Sequence, residues 1–472
     1  MKSTSLSATN PCHLWDLALA LHELDTLGTY YSGYPAWKLL NRRAEDRGQR
    51  SEDRGRKRED GSDPRPMSSE ASAKGDPTQD FRPPTSDIRH PTSDPRIQSF
   101  PFRTLVTYSL LKLPSNLRPS PEKLFPWQDY HFDKQVAKHL EPADFIHAMP
   151  GQALHTFRRA RELGIKTVLN HASGPVKIQQ AIVAEEQKKW GLPPPRIPSR
   201  FNDAYFKREA EEYALADFHC VASTIVKEQL HSLGIPENKI WVLPYSANPD
   251  IFYPKYVSEA RPVTPDQRKG RNVTPDQREG GSANPGIFYP KETRVDPLNF
   301  EKPKQGTKNN TKTFKIVFAG QLVLRKGIPY LLEALKISGR EDWELHCYGP
   351  DSGETHSFFE SYDGLPKIFR HGPVSQIQLA EAFRQADVLV LPSAEEAFGL
   401  VVPQALSCAL PCIVSDRVGA KDLIRHQKNG AIFSFGNSAL LAADMAYWEE
   451  HPRPISPPPC WNEIAEKLLS FQ

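Results

Sequence analysis

Two short stretches carry side chains suited to anion and sugar chemistry. Residues 320–327 read GQLVLRKG, with Arg325 and Lys326 between Gly320 and Gly327, after an apolar run and before a helical pattern. Glycines permit unusual backbone angles and close ligand approach. Two cations at the start of a helix suit a diphosphate. The loop is neither a Walker loop nor a GxGxxG fingerprint. In the second stretch, the apolar run 388–391 ends at Pro392-Ser393 and is followed by Glu395, Glu396, Phe398 and Gly399. A carboxylate there could hold hydroxyls or stabilise positive charge developing at a sugar carbon. A helix starting near Gly399 would aim free N–H groups at an anion. Glu396 is expected to act, with Glu395 a solvated neighbour. His171 closes a further apolar run and precedes a small Gly-containing turn, which places it at a comparable rim. A lone histidine in such a place is more often structural.

These residues need strands to hold them at one edge. Apolar runs alternate with helical patterns from 143 to 244 and again from 313 to 448. That alternation predicts an α/β fold of two Rossmann-like doubly wound domains, each with a parallel sheet. Open sheets of this kind bind ligands past the carboxyl ends of their strands, where the acidic pair falls. Near the start, Leu14, Leu17, Ala18, Leu21 and Leu24 follow a helical period, and a strand before Asn10 is faint. Residues 42–99 repeat EDRG and PTSD and hold almost no large apolar side chains. Such a segment cannot bury enough surface to offset its ordering entropy, so a disordered insertion is expected. Its acids balance its bases, which disfavours a basic tether. Between 246 and 291, SANPDIFYPK recurs as SANPGIFYPK and VTPDQRKG as VTPDQREG. Two copies are too few for a solenoid, so they read as a linker. The predicted division is 1–255 for a first domain interrupted at 42–99, and 256–312 for the linker. A second domain follows at 313–448, and 449–472 holds a closing helix.

At 472 residues the chain has room for two or three domains. A net charge of +3 lacks the concentrated basic character of a nucleic-acid protein. Cys408 and Cys412 form the close pair among six cysteines, without the partners a metal site needs. They read as buried small hydrophobes in a reducing, cytoplasmic setting. No apolar run reaches the roughly 18 residues of a membrane span, and the N-terminus lacks a signal-type apolar core. Residues 102–117 (FRTLVTYSLLKLPSNL) read first as a core helix of the first sheet. Their mixture of apolar and basic residues is also what an interfacial helix shows, so peripheral contact with the inner face of a membrane is the second reading.

Four segments resemble the retaining glycosyltransferases of family 4, the "group 1" glycosyl transferases of GT-B architecture. They are GQLVLRKGIPYLLEAL, LPSAEEAFGLVVPQALSCALPCIVSD, WVLPYSANPDIFYP and REAEEYALADFHCVAST. The resemblance covers roughly residues 100–255 and 312–448. It implies two Rossmann-like domains facing across a cleft, with a nucleoside-diphosphate sugar as donor and no essential cofactor or metal. It implies that Gly320, Arg325 and Lys326 meet the diphosphate and that Glu396 contacts the donor sugar. Phe398, Gly399 and Leu400 would offer backbone groups, position 404 would reach the ribose, and His171 would line the reaction centre. The acceptor, on the side of the first domain, would be a saccharide or lipid-linked glycan in polysaccharide synthesis, whose hydroxyl would attack the donor's anomeric carbon on its front face without a covalent intermediate. Three positions depart from the family pattern. Gln404 replaces a second Glu, Gln321 stands where many members have Arg, and no glycine-rich loop is visible in SLSATNPCHLWD. These departures motivate the alternative of a catalytically weak or inactive nucleotide-sugar-binding relative. A two-Rossmann epimerase or phosphorylase is disfavoured by the Glu396 signature.

Overall fold

The computed structural model describes residues 2–9, 13–34, 36, 96–195, 198, 200–254, 313–362, 366–452 and 455–472. Most of the expected insertion at 42–99 and the whole 256–312 linker lie outside the described residues, as do the repeats apart from residues 246–254 of the first SANPDIFYPK copy. The end of the insertion does not. Ile97–Ser99 pairs in parallel with the strand at Leu27–Ser32 and forms an edge of the first sheet.

Seven parallel strands build that sheet: β1 (Thr4–Ala8), β2 (Leu27–Ser32), β3 (Ile97–Ser99), β4 (Phe145–Ala148), β5 (Lys166–His171), β6 (Phe218–Val221) and β7 (Ile240–Val242), in the order β3-β2-β1-β4-β5-β6-β7. The faint first strand is real. All five residues of β1 are buried, including Thr4, Ser5 and Ser7, and such polar positions hide a central strand from an apolar pattern. Its helices are α1 (His13–Glu23), α2 (Phe102–Leu111), α3 (Pro121–His139), α4 (Leu154–Glu162), α5 (Val176–Lys189), α6 (Asp203–Leu215) and α7 (Thr224–Ser232). Asp133 of α3 caps the start of α4, accepting from the His155 and Thr156 amides at 2.8 Å each. Glu212 of α6 accepts from the amides of Ala153 and Leu154. Arg208 bridges the two fully buried carboxylates at 2.7 and 3.0 Å, which removes the penalty of leaving them unpaired.

The second sheet holds β8 (Phe314–Ala319), β9 (Trp343–Tyr348), β10 (Lys367–Gly372), β11 (Val388–Leu391), β12 (Cys412–Ser415) and β13 (Gly430–Phe433), all parallel, in the order β10-β9-β8-β11-β12-β13. Val388, Leu389, Val390 and Leu391 are each fully buried; burying a side chain of this size contributes about 1.5–3 kcal/mol. The accompanying helices are α8 (Ile328–Ser338), α9 (His356–Ser361), α10 (Gln376–Gln385), α11 (Val401–Ser407) and α12 (Ser438–Glu450). Helix α10 starts with a Ser375–Gln378 capping box, which satisfies two amides at its N-terminus. The expected helix near Gly399 is the short α11, and Cys408 and Cys412 are buried against the core.

The chain crosses between the domains twice. Ile251 and Phe252, beyond β7, pack into the second core. The closing helix α13 (Trp461–Phe471) returns to the first domain, where Trp461, Ile464, Ala465 and Leu468 pack with Leu14, Leu17 and Leu21 of α1.

Residues 102–117 do not form a core helix. In α2 the buried residues are Thr104 and Thr107, while Phe102 and Leu105 face solvent at 74% and 46% exposure. An alternation of apolar and small polar residues fits either face of a helix, and here the domain takes the threonines.

Candidate functional site

In each sheet the strand order reverses beside the first strand of the domain, between β8 and β11 and between β1 and β4. Ligands of open α/β sheets bind at such points. At the second one, the loop after β8 meets the segment after β11. Gly327 allows the approach. Its φ is +74°, and a Cβ on it would lie 1.8 Å from the Pro392 carbonyl oxygen. Backbone contact is fixed by the Ala394 amide, which donates to the Arg325 carbonyl at 2.8 Å.

The result is a cluster of two cations and two carboxylates. Arg325 Nη1 donates to Glu395 Oε2 at 3.0 Å and to the Glu395 carbonyl at 2.9 Å, and approaches Glu396 Oε2 at 3.8 Å. Lys326 Nζ pairs with Glu396 Oε2. Burial and the Arg325 guanidinium push the Lys326 ammonium down to about 7, against an upward pull from Glu395. The Glu396 carboxylate in direct contact favours the charged form, so the pair and the desolvation act in opposite directions. Glu395 is not the solvated neighbour expected from the sequence. It is 4% exposed and accepts from Gln179 Nε2 of α5, in the other domain, at 2.7 Å. A carboxylate this buried needs such partners.

Further bonds join the domains around this cluster. Ser223 Oγ donates to the Ala397 carbonyl at 2.6 Å, and the Thr224 amide and hydroxyl both donate to Asp422 at 2.7 Å. Tyr330 of α8 donates to Glu186 Oε2 at 2.7 Å and accepts from Lys189 at 2.9 Å, both on α5. Sequence reasoning did not find Gln179, Glu186 or Tyr330. Their partners lie more than a hundred residues away, and nothing local marks them.

Phe398 is buried, edge-on to Tyr245 at 5.1 Å, and its carbonyl accepts from the Ala420 amide at 2.7 Å. That carbonyl is therefore already committed. Gly399 has a φ of +94°, Leu400 is 42% exposed, and Gln404 is half-buried on α11. Gly320, at the end of β8, donates its amide to the Tyr348 carbonyl.

His171 ends β5 as expected, but its ring is sealed inside the first domain. It is 3% exposed and stacks on His219, with Nε2 3.0 Å from His219 Nδ1. Burial lowers its pKa well below the ordinary value, so the ring is neutral. Among the described residues, no hydrogen bond or ion pair joins it to the four charged residues. The link is indirect: the Tyr245 hydroxyl reaches the His171 carbonyl at 3.4 Å, and the Tyr245 ring packs on Phe398.

This architecture is that of the GT-B glycosyltransferases. The chain superposes over its full length on 95% of the sucrose-phosphate synthase of Thermosynechococcus elongatus, with a TM-score of 0.53 at 13% identity. A second match is the HepE protein of Anabaena in complex with UDP, at 0.50 and 13%, covering 100% of this chain and 95% of that one. Residues 299–464, which include the charged cluster, match the family model described as "Glycosyl transferases group 1". An uncharacterized glycosyltransferase of Methanocaldococcus jannaschii is 34% identical over 120 residues, 24% of this chain and 30% of that protein. The first curated relatives are matched over 30 to 45% of their own length.

Proposed function

We propose that the protein is a glycosyltransferase that moves a sugar from a nucleoside-diphosphate donor to an acceptor hydroxyl. The carrying observation is the Arg325–Glu395 and Lys326–Glu396 cluster at the topological switch point, inside the region that matches the glycosyl transferase model. Empty of donor, the cluster is internally neutralised. An arriving diphosphate takes over Arg325 and Lys326, which frees Glu396 to face the sugar. The bond from the anomeric carbon to the diphosphate oxygen breaks while the acceptor oxygen bonds to that carbon, and the acceptor's hydroxyl proton passes to the departing diphosphate oxygen. The two cations stabilise the leaving charge, and the carboxylate stabilises the developing oxocarbenium character. Gly320, Phe398, Gly399 and Leu400 shape the walls of this site. Gln404 offers an uncharged amide to the ribose. His171 acts as a positioning residue through Tyr245. Front-face transfer with retention follows from the resemblance to family 4, and HepE, a protein of the same fold, binds UDP. Both cations are kept with their carboxylate partners, which supports an enzyme over a binding-only relative.

The acceptor in this reading is a saccharide or a lipid-linked glycan of polysaccharide synthesis, used on the cytoplasmic face of a membrane. Among the described residues no helix is long and apolar enough to cross a membrane. Peripheral contact is supported by the outward apolar face of α2 and its continuation, where Phe102, Leu105, Leu113 and Leu117 are exposed beside Lys112 and Arg118. Apolar and basic side chains together suit an anionic lipid surface. Sedimentation with anionic liposomes tests it: co-pelleting weakened by Leu105→Asn and Leu117→Asn is expected, and full retention in the supernatant contradicts it. For the reaction, Glu396→Ala and Lys326→Ala should each lower turnover roughly tenfold or more. Unchanged transfer rates in both variants would sink the mechanism.

A further inference from the structure

A cavity lies in the first domain, between α2 and α3. It has a volume of about 360 Å³ and is lined by Phe100, Phe102, Arg103, Gln128, His131 and Phe132, among others. Gln128 is 1% exposed, and among the described residues neither its amide nitrogen nor its amide oxygen has a hydrogen-bond partner. Buried polar atoms are nearly always satisfied, so two orphans on one side chain need a reason. The Arg103 Nε and the fully buried Thr107 hydroxyl, on the neighbouring helix, have no hydrogen-bond partner among the described residues either. Aromatic rings stand beside these polar groups, with Phe100 and Phe132 6.4 Å apart between centroids.

The cavity adjoins the carboxyl edge of the first sheet. Asp129, next to Gln128, accepts from the Thr9 hydroxyl at 2.9 Å just beyond β1, and Thr9 also donates to Gln152 beyond β4. Thr9 and Gln152 mark the point where the strand order of this sheet reverses. A Cβ on Gly33, at the end of β2, would lie 3.1 Å from the Thr104 hydroxyl of α2, so the start of α2 is pressed onto the same edge.

We propose that this cavity is a saccharide subsite, in which the Gln128 amide pairs with two hydroxyls of a sugar ring packed against Phe100 and Phe102. An amide offers a donor and an acceptor side by side, which matches neighbouring sugar hydroxyls. Aromatic walls accept the C–H face of the ring, and a few polar groups in an apolar pocket set its orientation. An acyl chain would fill the same volume and leave Gln128 unpaired, so a lipid tail is the poorer occupant. The role of the subsite in holding an acceptor rests on the transferase reading. The binding does not.

The test uses the full chain and saturation-transfer NMR. The probes are methyl glycosides of glucose, galactose, mannose and N-acetylglucosamine, with octanoate as the acyl control, and saturating UDP is present throughout. At least one glycoside should receive saturation despite UDP. Gln128→Leu and Phe102→Ala should each weaken that binding roughly tenfold, the loss expected for one or two hydrogen bonds or a stacking wall. Gln128→Leu should keep or raise the melting temperature, because it removes an unsatisfied buried group. No transfer to any glycoside in the wild type overturns the proposal, as does transfer that survives both variants or preference for octanoate. Direct titration of the wild type with UDP separates the two readings. If UDP fails to bind the wild type while glycosides still bind through Gln128, the donor reading falls and the subsite stands.

Discussion

Replacing Lys326 by methionine removes one cation and keeps most of the apolar stem. A hydrogen bond to a charged group contributes about 1.5–3 kcal/mol, or roughly 10- to 150-fold in a dissociation constant. In the empty site Lys326 is already paired with Glu396, so donor binding exchanges one anionic partner for another. The expected loss is therefore at the lower end, roughly tenfold for a nucleoside diphosphate. Glu396→Gln should act with the opposite sign on this step, because it releases Lys326 without removing it. Nucleotide affinity should hold or rise while sugar transfer falls. The pH dependence carries a second signature. Burial and Arg325 hold Lys326 down to about 7 in the empty site. Affinity should decline as pH rises from 7 toward 9 and the ammonium is lost, while Arg325 stays charged throughout. In Lys326→Met that decline should vanish. The stability effect has the other sign. A lysine whose folded pKa lies below its unfolded value binds fewer protons when folded, so its contribution to stability increases as pH rises between about 7 and 10.4. Isothermal titration with UDP across this range, on all three proteins, reads the affinity effects, and chemical denaturation at the same pH values reads the stability effect. An unchanged dissociation constant in Lys326→Met would refute the reasoning, and so would a pH dependence that survives the substitution.

Two further outcomes follow from the packing. Gly327→Ala combines a left-handed backbone, which costs a non-glycine residue about 1–2 kcal/mol, with a clash against the Pro392 carbonyl. The loop must shift, so nucleotide affinity should fall roughly tenfold or more while circular dichroism stays native; wild-type affinity would contradict this. Tyr330→Phe deletes the hydroxyl shared by Glu186 and Lys189, and hydrogen-exchange protection of α5 and α8 should drop by about 1.5–3 kcal/mol; unchanged protection would show that this contact does not hold the domains together.

The fold was readable because its strands are short apolar runs separated by glycine, proline and charged turns. β11 and β12 are of that type, and both were expected where they occur. β1 was faint because Thr4, Ser5 and Ser7 are buried polar residues in a central strand. The 19-residue α3 was missed altogether, since Pro121 and Pro126 suggest a loop, whereas Pro121 stands at the helix start and Pro126 is accommodated early in the helix. The charged cluster was half legible. Arg325, Lys326 and Glu396 were singled out from their places beyond strands, yet Glu395 was misjudged, because burial by a helix of the other domain is a tertiary fact. His171 shows the same limit. Its position at the end of β5 was correct, but its stacking on His219 depends on the pairing of β5 with β6, which local sequence does not specify.

The central claim is that the Arg325–Lys326 and Glu395–Glu396 cluster handles a nucleoside-diphosphate sugar in a transfer reaction. The most direct measurement is a donor screen that reads release of free nucleoside diphosphate from UDP-, GDP- and ADP-sugars, with and without glycan acceptors. One donor should give acceptor-stimulated release that is lost in Lys326→Ala and Glu396→Ala. Release from no donor, or release that both variants leave intact, would contradict the account.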